Sequence, residues 1–264
     1  GNIVVDNNGG ETELAAVATA GQVAGTHIWA QISHPGRQCP KVVNPRPFSP
    51  SEEQLDMLGQ FGQPRGMTVN DIEDAISRYA KTAAAVKAAG FNGLQIHAAH
   101  GYLISQFLSP HVNKRDDEWG GSLENRSRML FRVIAAVREA VGPEFPVAIK
   151  LNSSDFQKGA FTLEDSAAVV EKLNDAGIDL LEISGGTYEQ IALLGDMGDT
   201  PPDAAQREST RRREAYFLDY AKRIRDIAKM PLAVTGGFRD RQLMEEAVAS
   251  GELDVIGLAR PLCV

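Results

Sequence analysis

His97, His100 and Tyr102 fall within six residues, at the end of the apolar run in "LQIHAAHGYLISQFLSP" (94–110). Protonatable side chains at the end of a buried element are costly unless they are paired or bind something. Neutral imidazoles can donate hydrogen bonds to a substrate oxygen and stabilise charge that develops on it. A phenol, with an ordinary pKa near ~10, keeps its proton at neutral pH and can serve as a general acid. The two histidines could instead ligate a metal. However, their spacing is not that of HExxH, and no neighbouring cysteine or carboxylate completes a zinc set. The third alternative is structural, with all three side chains satisfied inside the protein.

Other strand ends carry comparable residues. Lys150 closes "PVAIKL", where an unpaired ammonium is expensive to bury. It reads as a counter-charge for a bound anion, as a Schiff-base amine, or as a lysine reaching the rim. Gln31 closes "THIWAQIS", and its amide offers an acceptor and two donors to a heterocycle edge or to ordinary packing. "TGGF" (235–238) and "GLAR" (257–260) each place small residues and backbone N–H groups directly after a strand. Gly236, Gly237, Ala259 and Arg260 in these turns suit a phosphate, with the guanidinium gripping its oxygens. The alternative is two tight turns and a surface arginine. No GxGxxG is present, which disfavours a Rossmann dinucleotide site. In "NKRDDEWGGSLENRSR" (113–128), Gly120-Gly121 makes a turn and Ser122 can cap a helix. Arg115, Glu124, Asn125 and Arg126 are expected to pair among themselves, making this segment scaffold.

Helix-period segments alternate with the short apolar runs that carry these residues. Helical patterns over 11–24, 68–89, 122–141, 162–177, 209–229 and 240–250 each precede a strand. Those strands read as 26–33, 93–99, 146–152, 180–186, 231–237 and 254–260. Thr68-x-x-Asp71 and Thr162-x-x-Asp165 mark two helix starts, and glycines mark most of the stops. Near-continuous Ile/Val/Leu strands predict a parallel sheet covered on both faces, hence an α/β fold. Both an open doubly wound sheet and a (β/α)₈ barrel place function at the C-terminal strand ends. Residues 34–67, with six prolines, form a long loop at that end, as expected of a substrate pocket or lid.

Composition narrows the function classes. The net charge of −8 and a longest basic run of three, Arg211-Arg212-Arg213, argue against nucleic acid. No apolar stretch approaches the ~18 residues of a membrane span. Cys39 and Cys263 form no CxxC pair and fit a reducing, cytoplasmic setting. These bounds point to a small-molecule enzyme and are compatible with a homo-oligomer.

The segment "GFNGLQIHAAHGYLISQFLSPHVNKRDDEWGGSLENRSR" resembles the old yellow enzyme family of FMN-dependent NADH:flavin oxidoreductases. "AQISHPGRQ" (30–38), "VAIKLNSSDF" (147–156), "LEISGGTYE" (181–189) and "TGGFRDR…DVIGLARPL" (235–262) match in the family's order and cover nearly the whole chain. The resemblance implies a single FMN-binding TIM-barrel domain over 1–264, with NAD(P)H as reductant and α,β-unsaturated substrates: enones, enals or nitro compounds. It makes Gln31 the amide at the flavin pyrimidine edge, His97 and His100 the pair on the substrate oxygen, and Tyr102 the proton donor. Gly236, Gly237, Ala259 and Arg260 would surround the FMN phosphate. Lys150 stands where most members carry arginine, so the charge survives without the bidentate fork. By the same matching, "GNIVVD" corresponds to the tail of the second barrel strand. The first strand would then lie upstream and closing helices beyond Val264, making this chain a piece of a longer polypeptide. Two other readings stand beside the flavoenzyme: a non-catalytic or fragmentary barrel scaffold, and a phosphate-binding aldolase using Lys150.

Overall fold

A computed structural model describes residues 3–5, 9–187, 189, 218–235, 238 and 240–259. Helix α1 (Glu11–Gly21) precedes β1 (Trp29–Ile32), and two short strands, β2 (Phe48–Ser49) and β3 (Arg65–Gly66), follow within the long loop. Helix α2 (Val69–Ala88) leads to β4 (Gly93–Ala98), and α3 (Leu103–Leu108) with α4 (Leu123–Val141) leads to β5 (Val147–Asn152). Helix α5 (Leu163–Leu173) leads to β6 (Leu180–Ser184), helical residues 218–225 (α6) to β7 (Leu232–Thr235), and α7 (Arg241–Ala249) to β8 (Val255–Gly257). None of these helices is long and apolar enough to cross a membrane.

The main sheet is parallel, in the order β1-β4-β5-β6-β7-β8, while β2 and β3 pair separately. A doubly wound sheet reverses its strand order at a switch point. Here space follows sequence without reversal, which winds every crossover the same way and puts the helices along one face. That is the arrangement of a (β/α)₈ barrel. Among the described residues it is an incomplete one, six strands with β1 and β8 at the edges. Residues 3–5 make no strand, and Ile3 and Val4 are exposed. The strand expected in "GNIVVD" is therefore not formed by them; residues 1, 2 and 6 lie outside the described ones.

The helices form where cap and period agree. Thr68 and Asp71 complete a reciprocal capping box at α2, and Ser122 and Thr162 accept from Asn125 N–H and Asp165 N–H at α4 and α5. Ile72, Ala75, Ile76, Tyr79, Ala83 and Val86 line the buried face of α2. Met129, Leu130, Val133, Ile134, Val137 and Val141 do the same for α4. The two helices pack side by side, and their buried faces join the core that the strands share. Each fully buried aliphatic side chain contributes about 1.5–3 kcal/mol relative to exposure, so these faces fix the helices to the sheet.

The strands differ from the continuous apolar runs read in the sequence. Side chains alternate across a strand. Leu94, Ile96 and Ala98, then Val147, Ile149 and Leu151, then Leu181 and Ile183, join the core under the helices. Their alternates Gln95 and His97, Lys150 and Asn152, Glu182 and Ser184 share the other face. Barrel interiors are ordinarily filled with branched apolar residues. This interior is polar across three adjacent strands, and that is what positions the site.

Candidate active site

The trio sits where β4 turns into α3. His100 has φ 59° and Gly101 φ 75°, two successive left-handed residues. For a residue with a side chain this conformation costs roughly 1 kcal/mol, so something must hold it. The His100 N–H donates to Asn152 Oδ1 (3.2 Å), its carbonyl accepts from Gln38 Nε2 (3.0 Å), and its ring Nε2 lies 2.6 Å from Ser184 Oγ. Gly101 needs glycine for its left-handed φ; a Cβ there would also lie 2.5 Å from Gln38 Oε1 and would push that side-chain end aside. The turn brings the His97 ring 5.1 Å from His100 and 4.7 Å from Tyr102, centroid to centroid, with both pairs edge-to-face. Tyr102 occupies the N-cap of α3.

Both imidazoles are held neutral. Burial lowers the His97 pKa to about 3, helped by His100 and Lys150. Burial and then Lys150 lower that of His100 to about 4, against an opposing pull from Glu182. The Ala99 N–H donates to His97 Nδ1 (3.2 Å), so the neutral ring carries its proton on Nε2 and offers it as a donor.

Along the interior face, Lys150 Nζ meets Glu182 Oε1 at 2.7 Å, and the two residues are direct neighbours in the β5–β6 register. Gln95 Nε2 donates to Glu182 Oε2, and Gln31 Nε2 donates to Gln95 Oε1, each at 2.6 Å. Burial alone would raise the Glu182 carboxyl, but the Lys150 charge and hydrogen bonds from Lys150, Thr235 and Gln95 outweigh it and hold it below its ordinary value. Lys150 is therefore half of an ion pair rather than a free cation.

The loops above the strands are cross-tied. Asn152 Nδ2 donates to Asp155 Oδ1 (2.9 Å) and to the Gly186 carbonyl (3.0 Å), while its Oδ1 takes the His100 N–H, joining the ends of β4, β5 and β6. Gln106, fully buried on α3, donates to the carbonyls of Pro35 and Gly101 and accepts from the Arg37 N–H. Arg37 bridges to Glu189 at 2.8 Å, from the loop after β1 to the loop after β6. Residues 34–67 thus have a packed base, with Leu55 and Phe61 buried.

The structure brings Gln31, His97, His100, Tyr102 and Lys150 to one end and face of the sheet. Ala259 lies exposed beyond β8, and Gly236, Gly237 and Arg260 fall outside the described residues. The strands leading to those two turns are neighbours, with Thr235 opposite Gly257. The 113–128 segment braces the fold, with partners other than those expected. Arg115 pairs with Asp117 and donates to the Pro50 and Met67 carbonyls, and Arg126 reaches Asp165 and the carbonyls of Leu108 and Gly121. Sequence reasoning missed Gln95, Asn152 and Glu182. The readable signal was the period-two alternation of polar residues in "LQIHA", "VAIKLN" and "LLEIS".

The profile of the NADH:flavin oxidoreductase / NADH oxidase family matches residues 6–264. The chain is 39% identical over 255 residues to the NADH-dependent flavin oxidoreductase nadA of Aspergillus parasiticus, covering 95% of this chain and 55% of that protein. It is 33% identical over 240 residues to an NADH oxidase of Thermoanaerobacter brockii, covering 90% and 35%. Among solved structures it superposes on a 2-naphthoyl-CoA reductase complexed with 2-naphthoyl-CoA at a TM-score of 0.85 and 28% identity, over 99% of this chain and 40% of that one. The old yellow enzyme homologue of Zymomonas mobilis gives 0.76 and 28%, over 97% and 69%. The chain thus spans about half the length of nadA and about a third of the NADH oxidase.

Proposed function

The chain belongs to the NADH:flavin oxidoreductase / NADH oxidase family, and on that premise we propose that its full-length protein binds FMN against the polar strand face and uses NAD(P)H to reduce activated C=C bonds of small enones, enals or nitro compounds. Residues 1–264 then act as one FMN-binding barrel domain, with 34–67 on the substrate side.

The polar face supports FMN as the ligand. A barrel interior lined by amides, an ion pair and imidazoles is expensive unless a polar, heteroaromatic group occupies it. Gln31 and Lys150 would meet the pyrimidine edge, and the turns containing Gly236, Gly237, Ala259 and Arg260 would take the phosphate. When bound there, FMN would supply the β-carbon with a hydride drawn from NAD(P)H. His97 donates through Nε2–H to the substrate oxygen, with His100 beside it, and together they stabilise the negative charge that grows on that oxygen. Tyr102 delivers its hydroxyl proton to the α-carbon.

The observation that carries this reading is the trio itself: two imidazoles kept neutral by burial, packed with a tyrosine at one strand end. Rapid mixing separates the two half-reactions. Tyr102→Phe is expected to slow substrate reduction and to leave flavin reduction by NAD(P)H intact. An unchanged oxidative rate would remove Tyr102 from its role.

A further inference from the structure

Glu182 is absent from the catalytic roles above, yet both its oxygens are committed on the interior wall. Oε1 accepts from Lys150 Nζ at 2.7 Å and Oε2 from Gln95 Nε2 at 2.6 Å, and the Lys150 and Glu182 side chains are only 13% and 11% exposed. Buried ion pairs are weak stabilisers, often matched by an apolar pair of similar size. Stability alone therefore gives little reason for this one. We infer that Glu182 is a positioning residue of the cofactor wall, which offsets the charge of Lys150 and, through Gln95, fixes the direction in which Gln31 presents its amide. The inference rests on the FMN reading.

The directional part follows from donor and acceptor inventory. An ionised carboxylate only accepts, so the Gln95 amino group must face it. That turns the Gln95 oxygen toward β1, where it accepts from Gln31 Nε2 at 2.6 Å. With one N–H so spent, Gln31 keeps a carbonyl and a second N–H without a partner among the described residues. Together these match an N–H flanked by a carbonyl, the pattern of a pyrimidinedione edge. A neutral residue at 182 could either donate or accept and would leave both amides free to flip. The electrostatic part follows from proximity. Reduced flavin carries negative charge, which Lys150 favours and the adjoining carboxylate opposes.

Two variants of the full-length protein test both parts, each read by the FMN midpoint potential and by FMN dissociation followed through flavin fluorescence. Glu182→Gln, which keeps the shape, is expected to tighten reduced over oxidised FMN about tenfold, an upward shift of about 30 mV for a two-electron couple. Gln95→Met keeps the ion pair and cuts the relay. It is expected to weaken FMN binding about tenfold, the worth of one hydrogen bond, and to leave the potential of bound flavin in place. A potential unmoved in Glu182→Gln, or an affinity unmoved in Gln95→Met, overturns the inference. If Glu182→Gln does not fold, the affinity of Gln95→Met decides alone. An unmutated protein that binds no FMN refutes the functional reading itself, whereas a flavoprotein with unresponsive variants refutes only the role of Glu182.

Discussion

Tyr102 and His97 divide the proposed chemistry between an acid and a hydrogen-bond donor, and each should fail in its own way. Tyr102→Phe removes one hydroxyl at a half-buried position and should lower the substrate half-reaction by about 10²–10⁴-fold, the usual worth of a positioned acid, with the NAD(P)H half-reaction nearly unchanged. His97→Leu removes the Nε2–H proposed to meet the substrate oxygen and should lower the same half-reaction by about 10²–10³-fold. With pKa values of about 3 and 4, His97 and His100 stay neutral at every pH above about 5. Steady-state substrate affinity should therefore stay flat from about pH 5 to neutrality; a step near the ordinary histidine value of 6.5 would show that these rings titrate freely. The residue types of this site were legible from sequence because they break the apolar pattern. Their partners were not. Lys150 and Glu182 lie 32 residues apart, and only strand register makes them neighbours.

Elements set how firmly that constellation is held. Asn152, 1% exposed, links the ends of three strands through one side chain. Asn152→Ala would leave the His100 N–H and the Gly186 carbonyl without this partner, and should lower stability by about 3 kcal/mol in urea unfolding. Because His100 is held left-handed partly by that bond, substrate reduction should fall as well. Thr68→Ala, far from the site, loses only its part of a capping box and should cost about 1 kcal/mol with activity unaffected. Helix starts at Thr68, Ser122 and Thr162 were legible because cap and apolar period coincide. Strand faces were less so: "VAIKLN" reads as one apolar run until the sheet separates Val147, Ile149 and Leu151 from Lys150 and Asn152. The bracing by Arg115 and Arg126 was legible as scaffold, but not its partners outside the segment: Pro50 and Met67 lie 65 and 48 residues from Arg115, and Asp165 lies 39 from Arg126.

At the scale of the whole molecule, the α/β alternation was legible from periodicity, whereas the barrel came from family motifs and from a strand order that no local pattern encodes. The same burial that keeps the site neutral makes the fold acid-sensitive. His34 is held at about 4 by burial and then Arg78, alongside His97 at about 3 and His100 at about 4. All three sit below the ordinary 6.5, so the unfolded chain binds more protons once pH falls under that value. Their contribution to stability is complete above about pH 6.5 and is lost on acidification, at up to about 1.4 kcal/mol per pH unit for each histidine. Most carboxylates, with unfolded values near ~4, change little between about pH 5 and 6.5. Asp155, whose carboxyl burial pushes up, works in the opposite direction, so it is the comparison with a histidine variant that isolates the histidines. Melting temperature should drop across that window in the unmutated protein and drop less in His34→Asn.

The central claim is a flavin on the polar strand face, reduced by NAD(P)H and reoxidised by a substrate that His97, His100 and Tyr102 hold. Its most direct test is the visible spectrum of the purified full-length protein, followed through anaerobic addition of NADH or NADPH and then of an enone. The expected result is a yellow protein whose flavin bands bleach with the nicotinamide and return with the enone. A folded protein that takes up no FMN, or one whose bands fail to bleach, would contradict it.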